Sequence, residues 1–526
     1  MHPLKTFNES YWTEEFVVTD DDLEFLNNLF LEEETPLRTP ELIQHLINRH
    51  IDNEVRMIKK YSAQGTIYRP AQSFKVGQEL VFPVFGFEKG TVVSERPGIN
   101  PDYSAFKVLE VEFDGGRRRE LASELKVDHK LNVDTLADIE KLRPDVKKIY
   151  NRYKRVLTPI VVDALKQNED MLFIAKRWFL KSLLLEVDQG FLNLSEAILD
   201  MNNGGPLPTK QIADEIGFGQ NANPILQTVS LDYGLSKDDR FDEVGPAGQV
   251  LWFLRSMEPK EILEPPAVLR YNPIVFDQRF IQGEMLQWQK SIDDEFTDLE
   301  LFEDEDDELE DEVTITLNYP HWRMGTLPLT WKVEHLFPTA HRAPRIKIIL
   351  VDAQHDNAEI DGWVVREYGF VYGLGNFYQE HKLPVGAQIT VRHEEEGGRL
   401  FIDFEAHKPR SEWVKVAHVE NNRLRFEERQ QLIGALYDQL MVLGVQDIAS
   451  IDAAADHHRK HNFDLTTIMT DLIRELSVFS PQGHVHCVTL YSAVNMIRRC
   501  PPGPIFARLE THPNFVHAGG PYWRLA

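Results

Sequence analysis

Cysteine is nearly missing from this chain: Cys487 and Cys500 are the only two in 526 residues. Two thiols can build neither a disulfide framework nor a four-sulfur zinc site, so buried free thiols are the expectation. Long apolar runs are missing too. No stretch of about 18 apolar residues occurs, which argues against a membrane-spanning helix. The start, Met1-His2-Pro3-Leu4-Lys5-Thr6-Phe7-Asn8, has no hydrophobic signal region and points to the cytoplasm. Catalytic signatures are equally scarce. There is no Gly-x-x-x-x-Gly-Lys-Ser/Thr phosphate loop, no Gly-x-Gly-x-x-Gly after a strand, no Gly-x-Ser-x-Gly elbow and no Cys-x-x-Cys pair. In Asp456-His457-His458-Arg459-Lys460-His461, His457 and His461 share a helical face, but the Glu of a zinc-protease helix is not between them. Asp403-Phe404-Glu405-Ala406-His407-Lys408 has nuclease residue types at the wrong spacing. A non-enzymatic chain without metal or cofactor is the expectation.

Positive charge is the other shortage, with 57 Lys and Arg against 84 Asp and Glu and a net charge of −27. The imbalance is local. Residues 293–312 hold 14 acids and no Lys or Arg, whereas 313–415 hold 12 basic and 13 acidic residues and 416–526 hold 10 and 11. The C-terminal half is therefore near neutral, and local patches rather than net charge would decide phosphate binding. The acidic run reads as a disordered spacer. Its interruptions Phe296, Leu299, Leu301 and Phe302 leave two other readings open, a docking motif and a DNA mimic that masks a basic surface.

What is present is a chain of about three or four domains. Residues 1–65 read as an acidic helical region, with Thr39-Pro40-Glu41 starting a helix whose stripe is Leu42, Leu46, Ile47 and Ile51. Over 66–130 the period shortens to β-runs: Val76 to Pro83, Lys89 to Val93, the clean alternation of Phe106 to Phe113, and a turn at Asp114-Gly115-Gly116. This order resembles the small SH3-like barrels of transcription and translation factors. Arg117, Arg118 and Arg119 are either nucleic-acid contacts or charges that protect an edge strand. Residues 131–190 read as a helical connector, with Ile149, Tyr150, Tyr153, Val156 and Leu157 on one face. Its basic face, including Lys154 and Arg155, is solvated or touches nucleic acid.

Two distant stretches end alike. Arg240-Phe241-Asp242-Glu243-Val244-Gly245-Pro246 followed by Leu251-Trp252-Phe253-Leu254 closes 191–259. Asn514-Phe515-Val516-His517-Ala518-Gly519-Gly520 followed by Tyr522-Trp523-Arg524-Leu525 closes 463–526. Each hairpin follows two or three short helices, the order of a winged helix. In the first, Gly205-Pro206-Leu207-Pro208 and Phe241 through Leu254 resemble the HARE-type winged helix-turn-helix, a resemblance that implies DNA- or polymerase-linked work. Its third helix, from Pro224, carries no basic residue, whereas a groove-reading helix brings Arg, Lys, Asn or Gln to the DNA. In the second copy Arg498 and Arg499 end a helix, where they cap its dipole or contact nucleic acid. Only Arg508 is basic on its third helix.

Between them, after a 260–312 linker, residues 313–418 are strand-rich. Arg345 to Asp352 alternates into a polar turn, Trp363-Val364-Val365-Arg366 returns, and Tyr372-Gly373-Leu374 leads through Asn376-Phe377-Tyr378 to Leu383-Pro384-Val385-Gly386. This succession resembles the plant-type DNA-binding pseudobarrel, although Ala387 stands where that family typically has Asp. The resemblance implies two loop arms reaching into the major groove of double-stranded DNA. Arg323, Lys332, Arg342 and Arg345 would serve the first arm, and Asn376, Tyr378 and Lys382 the second. Residues 419–462 read as a helical connector.

The expected fold is a multidomain α+β chain with an SH3-like barrel, two winged helices and a pseudobarrel. The expected function is that of a bacterial-type, non-enzymatic DNA-binding or transcription-associated protein. Its pseudobarrel would touch DNA and its winged helices would dock partners. A pure interaction scaffold, such as an RNA polymerase adaptor, and the recognition subunit of a restriction or defence system are the alternatives.

Overall fold

The structure is a computed structural model that describes residues 5–64, 66–82, 85, 88–103, 105–127, 131–132, 143–174, 176–297, 310–340, 343–394 and 399–526. The chain divides into two compact units. One comprises Met1–Gln189 with Gly217–Gly234, the other Gly190–Ile216 with Leu235–Ala526. Among the described residues no helix is long and apolar enough to cross a membrane.

In the first unit, α1 (Asp20–Glu33) opens with a capping box in which the Thr19 side chain accepts from the Asp22 amide and Asp22 accepts in return. Helix α2 (Thr39–Gln64) begins at the expected Thr39-Pro40, where the amide that Pro lacks would have had no helical partner. Its stripe Leu42, Leu46, Ile47 and Ile51 is fully buried. Strands β1 (Thr66–Ile67), β2 (Glu79–Phe82), β3 (Glu88–Pro97), β4 (Lys107–Phe113) and β5 (Arg118–Ser123) form a sheet in that order, with β1 parallel to β2 and β2 to β5 an antiparallel meander. Leu109, Val111 and Phe113 of β4 point into a small core with Tyr68, Leu80, Phe82 and Val92, as period-two alternation requires.

Helix α3 (Val146–Gln167) is capped by Asp145 and turns Ile149, Tyr153, Leu157, Val161 and Leu165 inward. The helical reading of 131–190 stops there. Strands β6 (Met171–Ile174) and β7 (Arg177–Leu180) pair as a hairpin that sets Trp178 and Phe179 in the helical core, and 133–142 lie outside the described residues.

The stretch that follows runs α4 (Gln189–Met201), β8 (Leu207–Pro208), α5 (Thr209–Ile216), α6 (Pro224–Leu235), β9 (Phe241–Glu243) and β10 (Leu251–Leu254). Up to Gly234, α6 belongs to the first unit. There Leu226 joins the helical core and the Leu185 amide donates to Ser230 Oγ at 3.0 Å. The three strands belong to the second unit and pair in the order β8-β10-β9.

In the second unit α7 (Lys260–Leu263) and α8 (Gly283–Ser291) precede a seven-stranded sheet. Its strands are β11 (Glu312–Thr316), β12 (Thr326–Pro328), β13 (Ile346–Asp352), β14 (Ala358–Val365), β15 (Phe370–Tyr372), β16 (Gln388–Glu394) and β17 (Arg399–Asp403). They lie in the order β11-β16-β17-β13-β14-β15-β12, antiparallel except where β13 meets β17. Leu350, Val364, Val371, Ile389, Val391 and Ile402 fill its core. Two short helices, α9 (Tyr319–Met324) and α10 (Gly375–Glu380), accompany the sheet. Gly325 ends α9 at φ 63, and a Cβ there would sit 2.4 Å from Gly375 Cα, so both the backbone conformation and the close approach need glycine.

The sheet ends at Asp403. Residues 406–418, expected in the pseudobarrel, instead belong to β18 (Ala406–Glu420). This strand pairs along a long hairpin with β19 (Arg423–Ala435), so part of the expected helical connector is strand. The turn residues Asn421 and Asn422 have φ 50 and 59, the left-handed pair that a two-residue hairpin turn needs. Strand β20 (Gly444–Val445) adds to β18 only at Val416 and Ala417.

The chain then runs α11 (Ile448–Lys460), α12 (Leu465–Leu476), β21 (Val485–His486), α13 (Cys487–Ile497), α14 (Pro502–Thr511), β22 (Phe515–Gly519) and β23 (Tyr522–Leu525). From α12 onward this repeats the helix–strand–helix–helix–strand–strand succession of 189–254, with the same first-third-second strand order, β21-β23-β22. Helix α13 is buried along its whole length. Cys487 and Cys500 are free and buried, and burial pushes both thiols up to about 12.

The acidic run does not begin as a spacer. Asp293 and Asp294 are buried, and the Thr316 amide and Phe296 amide donate to them at 2.8 and 3.0 Å. Of the docking-motif positions, Phe296 packs against Tyr271 with ring centroids 5.3 Å apart. Leu299, Leu301 and Phe302 lie outside the described residues.

Candidate nucleic-acid interface

A cation contributes to phosphate binding when it can exchange water and counterions for the phosphate. One already held by a buried carboxylate must first abandon that partner, and stranding a buried charge is expensive. The surroundings of each basic side chain therefore decide whether the proposed arms can grip DNA.

Arg345 immediately precedes β13, and only 9% of its surface is exposed. Its Nε donates to Glu258 Oε2 at 3.0 Å and its Nη2 pairs with Asp242. Burial raises Glu258 to about 7 even though Arg345 pulls it the other way. Lys332 Nζ lies 2.9 Å from Asp293 Oδ1, and Arg323 Nη2 lies 2.8 Å from Asp452 Oδ2. Arg342 lies outside the described residues. All three described cations of the first arm are thus neutralised within the protein.

The second arm sits on and after α10. Tyr378 is 3% exposed and donates its hydroxyl to the Thr326 carbonyl at 2.9 Å, so it is a core residue. Asn376 and Lys382 are exposed. Lys382 takes the left-handed conformation at φ 51 as the chain leaves the helix.

The secondary positions divide the same way. Arg117 pairs with Glu88, and Arg118 lies 2.7 Å from Glu112 and 3.5 Å from Glu110. Arg119 lies over the Phe85 ring at 4.5 Å. These placements fit an edge protected by paired charge. Lys154 and Arg155 are exposed on α3. Arg498 donates from Nη1 to the Phe463 carbonyl at 3.1 Å. Arg499 is no surface contact at all: its side chain is fully buried, 2.8 Å from Asp294 and 2.7 Å from Glu295.

Around Arg499 the structure assembles a group that no sequence pattern marked. His321 Nε2 lies 3.0 Å from Glu295 Oε2, and its Nδ1 lies 2.8 Å from Thr326 Oγ1. Tyr491 donates to Asp294 at 2.7 Å. Burial alone would raise Glu295, but Arg499 and His321 hold it below the ordinary glutamate range. The only signal in the sequence was the Asp293-Asp294-Glu295 head of the acidic run facing an isolated Arg498-Arg499 pair some two hundred positions away, and nothing local links them.

A second missed feature is the β18–β19 hairpin. Trp413 and Leu432 are 66% and 74% exposed. Ser411 stands opposite Leu432 and Trp413 opposite Gln430, so the two large apolar groups share one face as diagonal neighbours. Elsewhere, His457 and His461 come together with ring centroids 4.2 Å apart. Among the described residues no group of three His, Cys, Asp or Glu side chains could hold a metal ion.

Among the described residues, these features define a multidomain α+β protein with buried ionic clusters and an exposed apolar face on the β18–β19 hairpin. No known protein family, curated protein or solved structure matches the chain.

Proposed function

We propose that this chain is an interaction scaffold of nucleic-acid-associated complexes, which docks proteins and does not itself read DNA sequence. The observation that carries this reading is the internal pairing of Arg323, Lys332 and Arg345 with Asp452, Asp293, Asp242 and Glu258. The tie to nucleic-acid complexes comes from the two winged-helix-like successions, whose element and strand orders agree. Their third helices are poor readers. In α14 seven of ten residues are buried and Arg508 is its one cation, so that helix has little surface to lay in a groove. The exposed Trp413 and Leu432 face is of the kind that protein interfaces cover.

Direct duplex contact is the second reading, favoured by the exposure of Asn376 and Lys382 and by the observed order β13, turn, Trp363-bearing β14, β15, α10, β16. That is the order on which the pseudobarrel resemblance rests. A salt-series gel shift of the full chain on duplex DNA separates the two. A piece ending near residue 420 would cut β18 from β19 and is unsuitable. A scaffold gives weak retention with a log–log salt slope near that of one phosphate, about 0.9. A slope equivalent to about four or more phosphates would overturn it in favour of direct binding.

A further inference from the structure

In the second unit a cleft of about 850 Å³ opens between the 266–272 segment, the end of α9, α11 with the loop after it, and the residues closing α13. Its size is that of a small-molecule site, typically about 300–1,000 Å³. Its lining, which also includes Asp452, Asp456 and Asp464, combines two features.

The first is polar side chains, two of them arginines, with unmet hydrogen-bonding capacity. Arg498 has five N–H donors; one goes to the Phe463 carbonyl, and no carboxylate among the described residues forms an ion pair with it. Arg323 pairs through Nη2 with Asp452, but its Nε is shielded from solvent and has no partner. His458 Nδ1 is likewise shielded and unpartnered. Buried polar atoms without partners are uncommon in folded proteins, and a site for an ion or ligand is one of their few explanations. Here two such atoms belong to side chains that line one cleft.

The second feature is an apolar wall made by Met324, Phe463 and Ile468, with the His458 ring 4.7 Å from that of Phe463. Neither a metal nor a bare phosphate needs such a wall, whereas an organic anion uses both halves. A guanidinium also matches the planar fork of a carboxylate or phosphate better than a point charge would.

We propose that this cleft binds a small organic anion, a carboxylate or phosphate head on an apolar or aromatic body. Arg498 holds the head, and Phe463, Met324 and Ile468 hold the body. The site is independent of the docking role and gives the scaffold a place to receive a small effector.

Isothermal titration of the full chain with inorganic phosphate, adenosine 5′-monophosphate and phenylacetate tests this. At least one of the two organic anions should bind with a Kd below about 1 mM. Inorganic phosphate should bind about tenfold more weakly, because it cannot use the apolar wall. Arg498→Gln should weaken the organic anion about tenfold or more. Arg498→Lys keeps the charge but loses the planar fork, and should weaken binding in the same direction. Lys166→Gln, exposed and outside the cleft, should leave the Kd unchanged. No binding of either organic anion by about 10 mM overturns the proposal, as does Arg498→Gln binding like the parent. If Arg498→Gln does not fold, Arg498→Lys decides alone: an unchanged Kd overturns the proposal and a weakened one supports it.

Discussion

Arg345 stands between two carboxylates, and its rigid fork serves both: Nε reaches Glu258 while Nη2 reaches Asp242. Arg345→Ala would leave the buried Glu258 without its cation and Asp242 with only Arg255, 4.0 Å away, and losing one partner of such a cluster costs about 3–5 kcal/mol. Urea denaturation should show that loss. The cluster also has a pH signature. Glu258 is raised to about 7 in the folded protein, chiefly by burial, so the native state keeps a proton that the unfolded chain releases. The stability this contributes is complete below the ordinary glutamate range and is lost as pH rises through about 7. Glu258→Gln removes that dependence. Melting temperatures at pH 5 and pH 8 should show the variant gaining on the parent as pH rises, and a parent that gains on the variant would sink the assignment.

At the scale of elements, a tight junction lies where α9 ends and α10 begins. Gly325→Ala would press a Cβ to within 2.4 Å of Gly375 Cα while also straining a φ of 63. Backbone cannot retreat as a side-chain tip can, so a loss of about 2–4 kcal/mol is expected. A wild-type melting temperature would mean that the two helices are not joined so closely. Elements whose signals are local were legible beforehand. Thr39-Pro40 starts α2 and Asn223-Pro224 starts α6, because caps and first-turn prolines act within a few residues. Strand β19 was not legible. Arg423-Leu424-Arg425-Phe426-Glu427-Glu428-Arg429-Gln430-Gln431-Leu432 is rich in helix formers, and only its pairing with β18 makes it a strand. The site was harder still. The residue types that suit DNA were visible, but the acids that occupy Arg323, Lys332 and Arg345 lie 39 to 129 positions away in sequence. Tyr378 satisfies its hydroxyl on Thr326, 52 positions distant.

Across the second unit, Arg499 joins parts of the chain that have no local reason to meet. Asp294 and Glu295 precede the seven-stranded sheet, His321 lies within α9, and Tyr491 and Arg499 belong to the C-terminal module. The head of the acidic run is therefore an anchor, and its carboxylates answer a cation where a spacer would have left them to water. Such a cluster need not add net stability over an apolar substitute, yet it is costly to break from one side. Arg499→Met should accordingly destabilise the unit by about 3–5 kcal/mol, whereas Asp294→Asn, Glu295→Gln and Arg499→Met together should recover most of that loss. Because Arg499 and His321 hold Glu295 below the ordinary range against the opposing effect of burial, the stability it contributes is present above that range and is lost as pH falls below it. The triple variant should unfold less steeply in acid than the parent. Equal acid sensitivity in the two proteins, followed by tryptophan fluorescence from pH 6 to about pH 2, would show that the cluster does not couple the segment to the module. Additive single-variant costs would show the same thing, since groups that act as one unit must deviate from additivity when removed one at a time.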